Sequence, residues 1–230
     1  MPIHLRPATA ADVPAIARIG TAAFDPSTDA LTAALWPERL RRGSGPHPQE
    51  AWRAARKAAR LKDEGSIIMV AVERQQAPDD EAETVVGFAW WTRPGDAPAE
   101  PPSDEAMGET YPPEMDRDAM AAMGETLEAG VKAIFGEGVA RHWYELEVLA
   151  VDPNQQGKGI GRQLTERGLE LAVREQKDVF LLSSSAGDAL YSKVGFKPVG
   201  DFTMFGATLH FMIYKNNPDS VIGTYTQPTS

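Results

Sequence analysis

The stretch WYELEVLAVDPNQQGKGIG, residues 143–161, restricts this chain more than any other. Trp143 to Val151 is an apolar run of strand length. Asp152-Pro153-Asn154 ends it, because proline has no ladder donor and Asp and Asn favour turns. Gln156-Gly157-Lys158-Gly159-Ile160-Gly161 follows as a glycine-rich turn. A helical pattern comes next, with Leu164, Gly168, Leu171 and Ala172 on one face and Glu166, Arg167, Glu170 and Arg174 elsewhere. Strand, glycine turn and helix in this order make a phosphate cradle. Glycine lets backbone approach an anion, the free N–H groups of the first helical turn point at it, and the helix dipole adds partial positive charge.

Two common phosphate motifs fail on these residues. No Lys-Ser or Lys-Thr pair follows a glycine here, as a Walker loop requires. The dinucleotide pattern G-x-G-x-x-G would need its third glycine at 162, where Arg162 stands, and the glycine falls at 161. The pattern that fits is Q/R-x-x-G-x-G/A, led by Gln156.

Charge and composition narrow the partners. The net charge is −10, which argues against nucleic acid or an anionic membrane, since both want basic patches. It mildly favours a cationic acceptor, and it also suits simple solubility. There is no cysteine, so disulfides, cysteine metal sites and a cysteinyl acyl-enzyme are excluded. His4, His47, His142 and His210 are scattered without metal spacing, so no metal is expected. The first residues, MPIHLRPATAADV, have no apolar signal core, and no membrane-length apolar run occurs. The expected compartment is the cytosol, by default.

Along the chain the pattern predicts a strand at Ile3–Arg6 and a helix through Val13, Ile16, Ile19 and Phe24, with Pro14 in its first turn. Phe24–Pro48 reads as a Pro-, Ser- and Gly-rich connection. A helix is predicted over Gln49–Lys62, with Trp52, Ala55, Ala59 and Leu61 as its apolar marks. Strands Ser66–Val72 and Val85–Thr92 form a hairpin around an acidic turn at Gln75–Glu83. Arg93–Glu114 reads as an exposed insertion, followed by a helix over Met115–Phe135 whose Met120, Met123 and Leu127 pack. After the central strand and the helix of 161–175 come a strand at Val179–Ser183 and a short helix at Asp188–Val194. A closing hairpin runs from Thr203–Phe205 to Thr208–Tyr214. The fold class is α/β, a mixed central sheet with flanking helices, as a single domain over 1–215 with an insertion at about 93–135 and a flexible tail at 216–230.

The central stretch resembles the coenzyme A pyrophosphate loop of the GNAT superfamily of N-acetyltransferases. Leu149-Ala150-Val151-Asp152-Pro153 is similar to that family's L-A-V-x-P strand end, and Arg6-Pro7-Ala8-Thr9 with Asp12 resembles its opening. A second signature, SSAGDALYSKVGF at Ser184–Phe196, resembles the family segment ending in L-Y-x-x-x-G-F. Many members carry Asn-x-x-Ala there, where this chain has Ser184 and Gly187. That departure bears on a side-chain contact from Ser184 to pantetheine, not on the fold.

The resemblance implies a GNAT fold and acetyl transfer from acetyl-CoA to an amine by direct attack in a ternary complex. It implies pyrophosphate at Gln156, Gly157, Lys158, Gly159, Ile160, Gly161 and Arg162. It also implies that Leu149, Ala150 and Val151 border the pantetheine arm, with the N–H groups of 149 and 151 polarising the thioester oxygen. From spacing alone Tyr191 reads as a core tyrosine; with the surrounding motif the resemblance implies it as the acid that protonates the departing thiolate. For a base, Glu145 and Glu147 stand on the central strand. Strict alternation puts them with Trp143 on one face, and Leu146, Val148 and Ala150 on the other. Two carboxylates on a central strand are costly unless that face opens into a cleft, and burial beside a like charge raises a carboxyl toward the range of a useful base. Glu145 is preferred, because the resemblance to histone-type members, counted back from Gln156, falls on it. Lys158 and Arg162 either add charge against phosphates or are plain surface residues. The acceptor is expected to be a small-molecule or peptide amine, from polyamine to amino acid to protein N-terminus, with the enzyme a monomer or homodimer. A catalytically silent CoA-binding sensor of the same fold is the competing expectation, and a phosphate-binding protein of another fold stands behind it.

Overall fold

The computed structural model describes residues 2–42, 48–77, 80–95 and 111–217, with backbone only at 75–77 and 80–82. The strands are β1 (Ile3–Pro7), β2 (Ser66–Ala77), β3 (Asp80–Thr92), β4 (Tyr144–Val151), β5 (Val179–Ser184), β6 (Lys197–Met204) and β7 (Ala207–Tyr214). The helices are α1 (Val13–Ala23), α2 (Ala30–Leu35), α3 (Gln49–Arg60), α4 (Arg117–Phe135), α5 (Ile160–Arg174) and α6 (Asp188–Lys193). The strands form one seven-stranded sheet in the order β1-β2-β3-β4-β5-β7-β6. Neighbours are antiparallel except β4 and β5, which run parallel across the α5 crossover.

Both faces of the sheet are covered. On the first, α5 and α6 bury Ile160, Leu164 and Leu169 against Trp91, Tyr144 and Leu181. On the second, Ile16 and Ile19 of α1 pack on Val70, Phe88 and Trp90 over the β1–β4 half. Helix α4 covers the other half, where Phe135 meets Trp143 and Phe180 at ring distances of 5.1 and 5.0 Å. Helix α2 bridges the two helix groups: Leu35 and Trp36 pack with Trp52 of α3 and Met115, and Met120 and Met123 of α4 close on them. The methionine stripe is therefore packing.

The opening motif has a local cause. Arg6 donates from Nη1 and Nη2 to the Asp12 carboxylate at 2.8 and 2.9 Å. Asp12 also accepts from the Thr9 backbone N–H at 2.7 Å and from its hydroxyl at 2.9 Å. One buried carboxylate thus ties β1 to the start of α1.

Several sequence expectations change. The connection Phe24–Pro48 contains α2, whose six residues are too few for a helical period to emerge from a Pro-rich segment, yet Asp29 caps it by accepting from Thr32 N–H at 2.7 Å. The β2–β3 ladder continues to Ala77 and Asp80, so most of Gln75–Glu83 is strand and not turn. Strand β6 starts at Lys197, well before Thr203. The end of the expected insertion contributes to packing, through Tyr111 against the α2–α3 cluster. Residues 96–110 of that insertion and 218–230 of the expected tail lie outside the described residues, as does His47.

Candidate active site

Strand β4 carries the candidate base residues, and its alternation is broken. Trp90 pairs with Val148 but Trp91 pairs with Leu146, which leaves Glu147 as the extra residue of a β-bulge. Tyr144, Leu146, Leu149 and Val151 therefore share the α5 face, and Val148 and Ala150 lie on the α1 face. This corrects the grouping of Leu146 with Val148 and Ala150. Glu145 pairs with Thr92, and the Thr92 hydroxyl donates to Glu147 Oε1 at 2.9 Å, so both carboxylates stand on the second face. Glu147 is near enough to α3 to act electrostatically on Lys57. Burial, with Glu147 adding to it, holds the Glu145 carboxyl well above the usual glutamate range. Glu147 itself is exposed.

The edge of β4 facing β5 opens as the strand proceeds. The two pair only through Tyr144–Val179, Glu145–Phe180 and Leu146–Leu181. Toward β3, Asp152 N–H donates to Val86 O at 2.9 Å. Alternation along that ladder gives the amides of Val148 and Ala150 to β3 and turns those of Leu149 and Val151 toward the splayed side.

The glycine loop lies at the end of this opening. Gly157 and Gly159 adopt φ of +76° and +78°, and a Cβ at either would have nothing within 4 Å, so these glycines serve backbone conformation beside open space. Gly159 caps α5. Gly161 works by size: a Cβ there would stand 3.1 Å from Leu190. The Gln156 side chain donates to Val151 O at 3.2 Å and ties loop to strand. Lys158 is held at Gln155, and Arg162 Nε donates to Glu166 at 2.7 Å on the exposed surface. No carboxylate occurs from Gln155 to Gln163. Successive amides at a helix start, in a segment with no carboxylate of its own, are suited to a polyanion.

Tyr191 stands on α6, beyond the end of β5. Its ring meets Phe196 at 5.9 Å and lies against Gly187, where a Cβ would come within 2.8 Å of Tyr191 Cε2 and 2.9 Å of Ser183 Oγ. Glycine in place of the family's alanine thus has a steric reason. Burial, with Asp188 adding to it, pushes the Tyr191 hydroxyl up, so it keeps its proton at neutral pH. Ser184 is exposed, and its carbonyl accepts from Ser183 Oγ at 2.8 Å. Tyr191 packs with the α5-face core and Glu145 lies on the other face. The opening between β4 and β5 is the passage between those faces.

One set of residues went unread in the sequence. Helix α3 turns Trp52 and Lys57 inward. The apolar marks Ala55, Ala59 and Leu61 stay partly exposed. The available signal was the recurrence of Arg53, Arg56, Lys57 and Arg60 at helical spacing in an acidic chain. Among the described residues there is no group of histidines and acids able to hold a metal, and no helix is long and apolar enough to cross a membrane.

Residues 121–198 match the family described as acetyltransferase (GNAT) domain. A mycothiol acetyltransferase of Beutenbergia cavernae is 39% identical over 66 residues, 27% of this chain and 22% of that protein. The match thus spans about a fifth of that relative. Among solved structures, histone acetyltransferase HPA2 and related acetyltransferase from Corynebacterium glutamicum superposes with a TM-score of 0.56 at 21% identity, covering 96% of this chain and 100% of the other. The acetyltransferase yncA of Salmonella typhimurium, solved with its cofactor acetyl-CoA, gives 0.51 at 21% identity over 95% and 96% of the two chains. Ribosomal-protein-alanine N-acetyltransferase of Brucella melitensis gives 0.52 at 25% identity over 92% and 99%. With its mixed sheet, splayed central strands and glycine loop, this chain has the fold of the GNAT acetyltransferases, and its residues 121–198 match that domain.

Proposed function

We propose that the protein is an N-acetyltransferase that moves an acetyl group from acetyl-CoA to an amine acceptor, a small molecule or a peptide. The observation that carries this reading is the opening between β4 and β5, lined by the Leu149 and Val151 amides and ending on the Gly157–Gly161 loop. An extended amide-containing arm can pair along that edge, and a pyrophosphate suits the loop amides of Gln156 to Arg162. Lys158 and Arg162 can add charge there once released from Gln155 and Glu166. Ser184 stands at the far rim.

Bound acetyl-CoA supplies a thioester carbon open to attack by an amine. The acceptor must lose a proton first, and Glu145, with its raised carboxyl, takes it, directly or through water. The Leu149 and Val151 amides face the side where negative charge develops on oxygen. Tyr191 keeps its proton at neutral pH and gives it to the departing sulfur. The balance is one C–N bond formed and one C–S bond broken; of the two protons the ammonium gives up, one goes to Glu145 and the second restores Tyr191 after it has protonated the thiolate.

Titration calorimetry with acetyl-CoA tests the frame of this reading. Wild type is expected to bind, and a Gly159→Glu, Gly161→Glu double variant to lose binding. Equal binding by both would remove the loop from the site, and binding without acetyl loss to any amine would favour a CoA sensor.

A further inference from the structure

Helix α3 presents a basic stripe to the sheet, and each of its cations stands over a ring. Lys57 Nζ is 4.1 Å from the Trp90 centroid, Arg60 5.0 Å from the same ring, Arg56 4.7 Å from Trp52 and Arg53 5.2 Å from Phe24. Lys57 is only 6% exposed, and among the described residues no carboxylate lies within ion-pair distance of its ammonium. A cation–π contact returns part of the hydration that a buried ammonium gives up, and an apolar side chain would fill the same space at lower cost. Burial and the neighbouring arginines push the Lys57 ammonium well below the usual lysine range, with Glu147 opposing them. A partner anion would relieve this arrangement.

Trp90 links the stripe to the candidate base. It pairs with Val148, and two residues on, Thr92 pairs with Glu145 on the same face. Cations of α3 and carboxylates of β4 therefore stand side by side, walled on the far side by α4 and bridged by α2. A polyamine would set its second ammonium against the α3 cations. A simple monoamine would leave Lys57 with no carboxylate at ion-pair distance, while Arg60 keeps its pair with Asp63.

We propose that Lys57 is a specificity-determining residue that receives a carboxylate carried by the acceptor while the acceptor's amine meets Glu145. The acceptor is then an amine bearing a carboxylate, an amino-acid-like molecule. This rests on the acetyl-transfer reading above.

The test uses matched acceptors with and without the carboxylate: phenylalanine and phenethylamine, tyrosine and tyramine, histidine and histamine. CoA release is followed for wild type, Lys57→Met and Lys57→Arg, and acetyl-CoA Kd is measured on the same samples to report loading. In at least one pair, kcat/KM of wild type should favour the carboxylate-bearing member by about tenfold or more. Lys57→Met should bring that ratio near one through KM, and Lys57→Arg should restore most of it. Equal use of both members by wild type overturns the proposal, and so does a preference that survives in Lys57→Met. Acetylation of Lys57 itself, seen by mass spectrometry, also overturns it. If acetyl-CoA binds but no amine is acetylated, the acetyl-transfer reading fails separately. The same pairs are then titrated calorimetrically against the CoA-loaded protein. Carboxylate-selective binding lost in Lys57→Met keeps the anion site, and no such binding ends it.

Discussion

The indole of Trp91 occupies the space that a methyl group on Gly168 would need: a Cβ built there stands 2.1 Å from Trp91 Cε2 and Cζ2. Trp91 is fully buried on β3 and Gly168 lies in the middle of α5, so this contact sets how closely the helix can approach the sheet. Gly168→Ala has no backbone penalty in a helix, yet it should destabilise the protein by about 3 kcal/mol through overpacking. Trp91→Leu in the Gly168→Ala background should recover part of that loss, with a coupling above roughly 1 kcal/mol in a double-mutant cycle. Urea unfolding of the four proteins measures it, and additive effects would refute the contact.

Glu145 should trade stability for activity. Its folded carboxyl is raised, so its protonated form favours folding. That contribution is complete below the unfolded glutamate value of about 4.3 and is lost as pH rises through the folded value. Glu145→Gln should therefore gain in melting temperature relative to wild type as pH rises above the unfolded glutamate value of about 4.3. The same variant should lose about 10- to 100-fold in kcat/KM, together with the ascending acid limb of the pH profile. A limb that persists in the variant would assign it to another group.

Tyr191 should be sensitive both to its hydroxyl and to its seat. Tyr191→Phe should lower kcat by about 100-fold if the hydroxyl protonates sulfur, and a loss below about threefold would end that role. Gly187 has a negative φ of −84°, so Gly187→Ala strains no backbone and acts through the 2.8 Å approach to the Tyr191 ring. It should lower kcat more than it raises the acetyl-CoA Kd. The opposite split would mean that the ring serves binding.

Asp12 supplies the acid side of the stability profile. Arg6 holds its carboxyl below the usual aspartate range, helped by Thr9. Its contribution is therefore present above the unfolded aspartate value of about 3.9 and lost as pH falls through the folded value. Asp12→Asn should cost roughly 1–3 kcal/mol at neutral pH. The gap to wild type should close on acidification. A gap independent of pH would show that the carboxylate's charge is not what holds β1 to α1.

Much of this fold was legible because its strongest signals are local. The Val-, Leu- and Gly-rich run of 143–161 determines strand, turn and helix from within itself, and β4, its loop and α5 follow. What escaped depends on partners distant in sequence. The bulge at Glu147 arises from how β4 meets β3, so strict alternation misassigned Val148 and Ala150. Helix α2 is held by Trp52 and Met115 more than by its own periodicity. Lys57 reads as a solvated residue until Trp90 is placed above the sheet beneath it. Gly187 is ordinary until the ring of Tyr191 is seen against it.

The three residue pairs that join β4 to β5 make that line the weakest seam of the sheet. On the α1/α4 face each half has its own apolar cluster, and the α5-face core runs beneath both. The molecule is thus a two-leaf structure with a spine on one side. What spans the seam is that shared core, in which Val179 and Leu181 of β5 belong with Tyr144 and Leu146 of β4, and any loosening there would be transmitted first to the backbone amides of Leu149 and Val151.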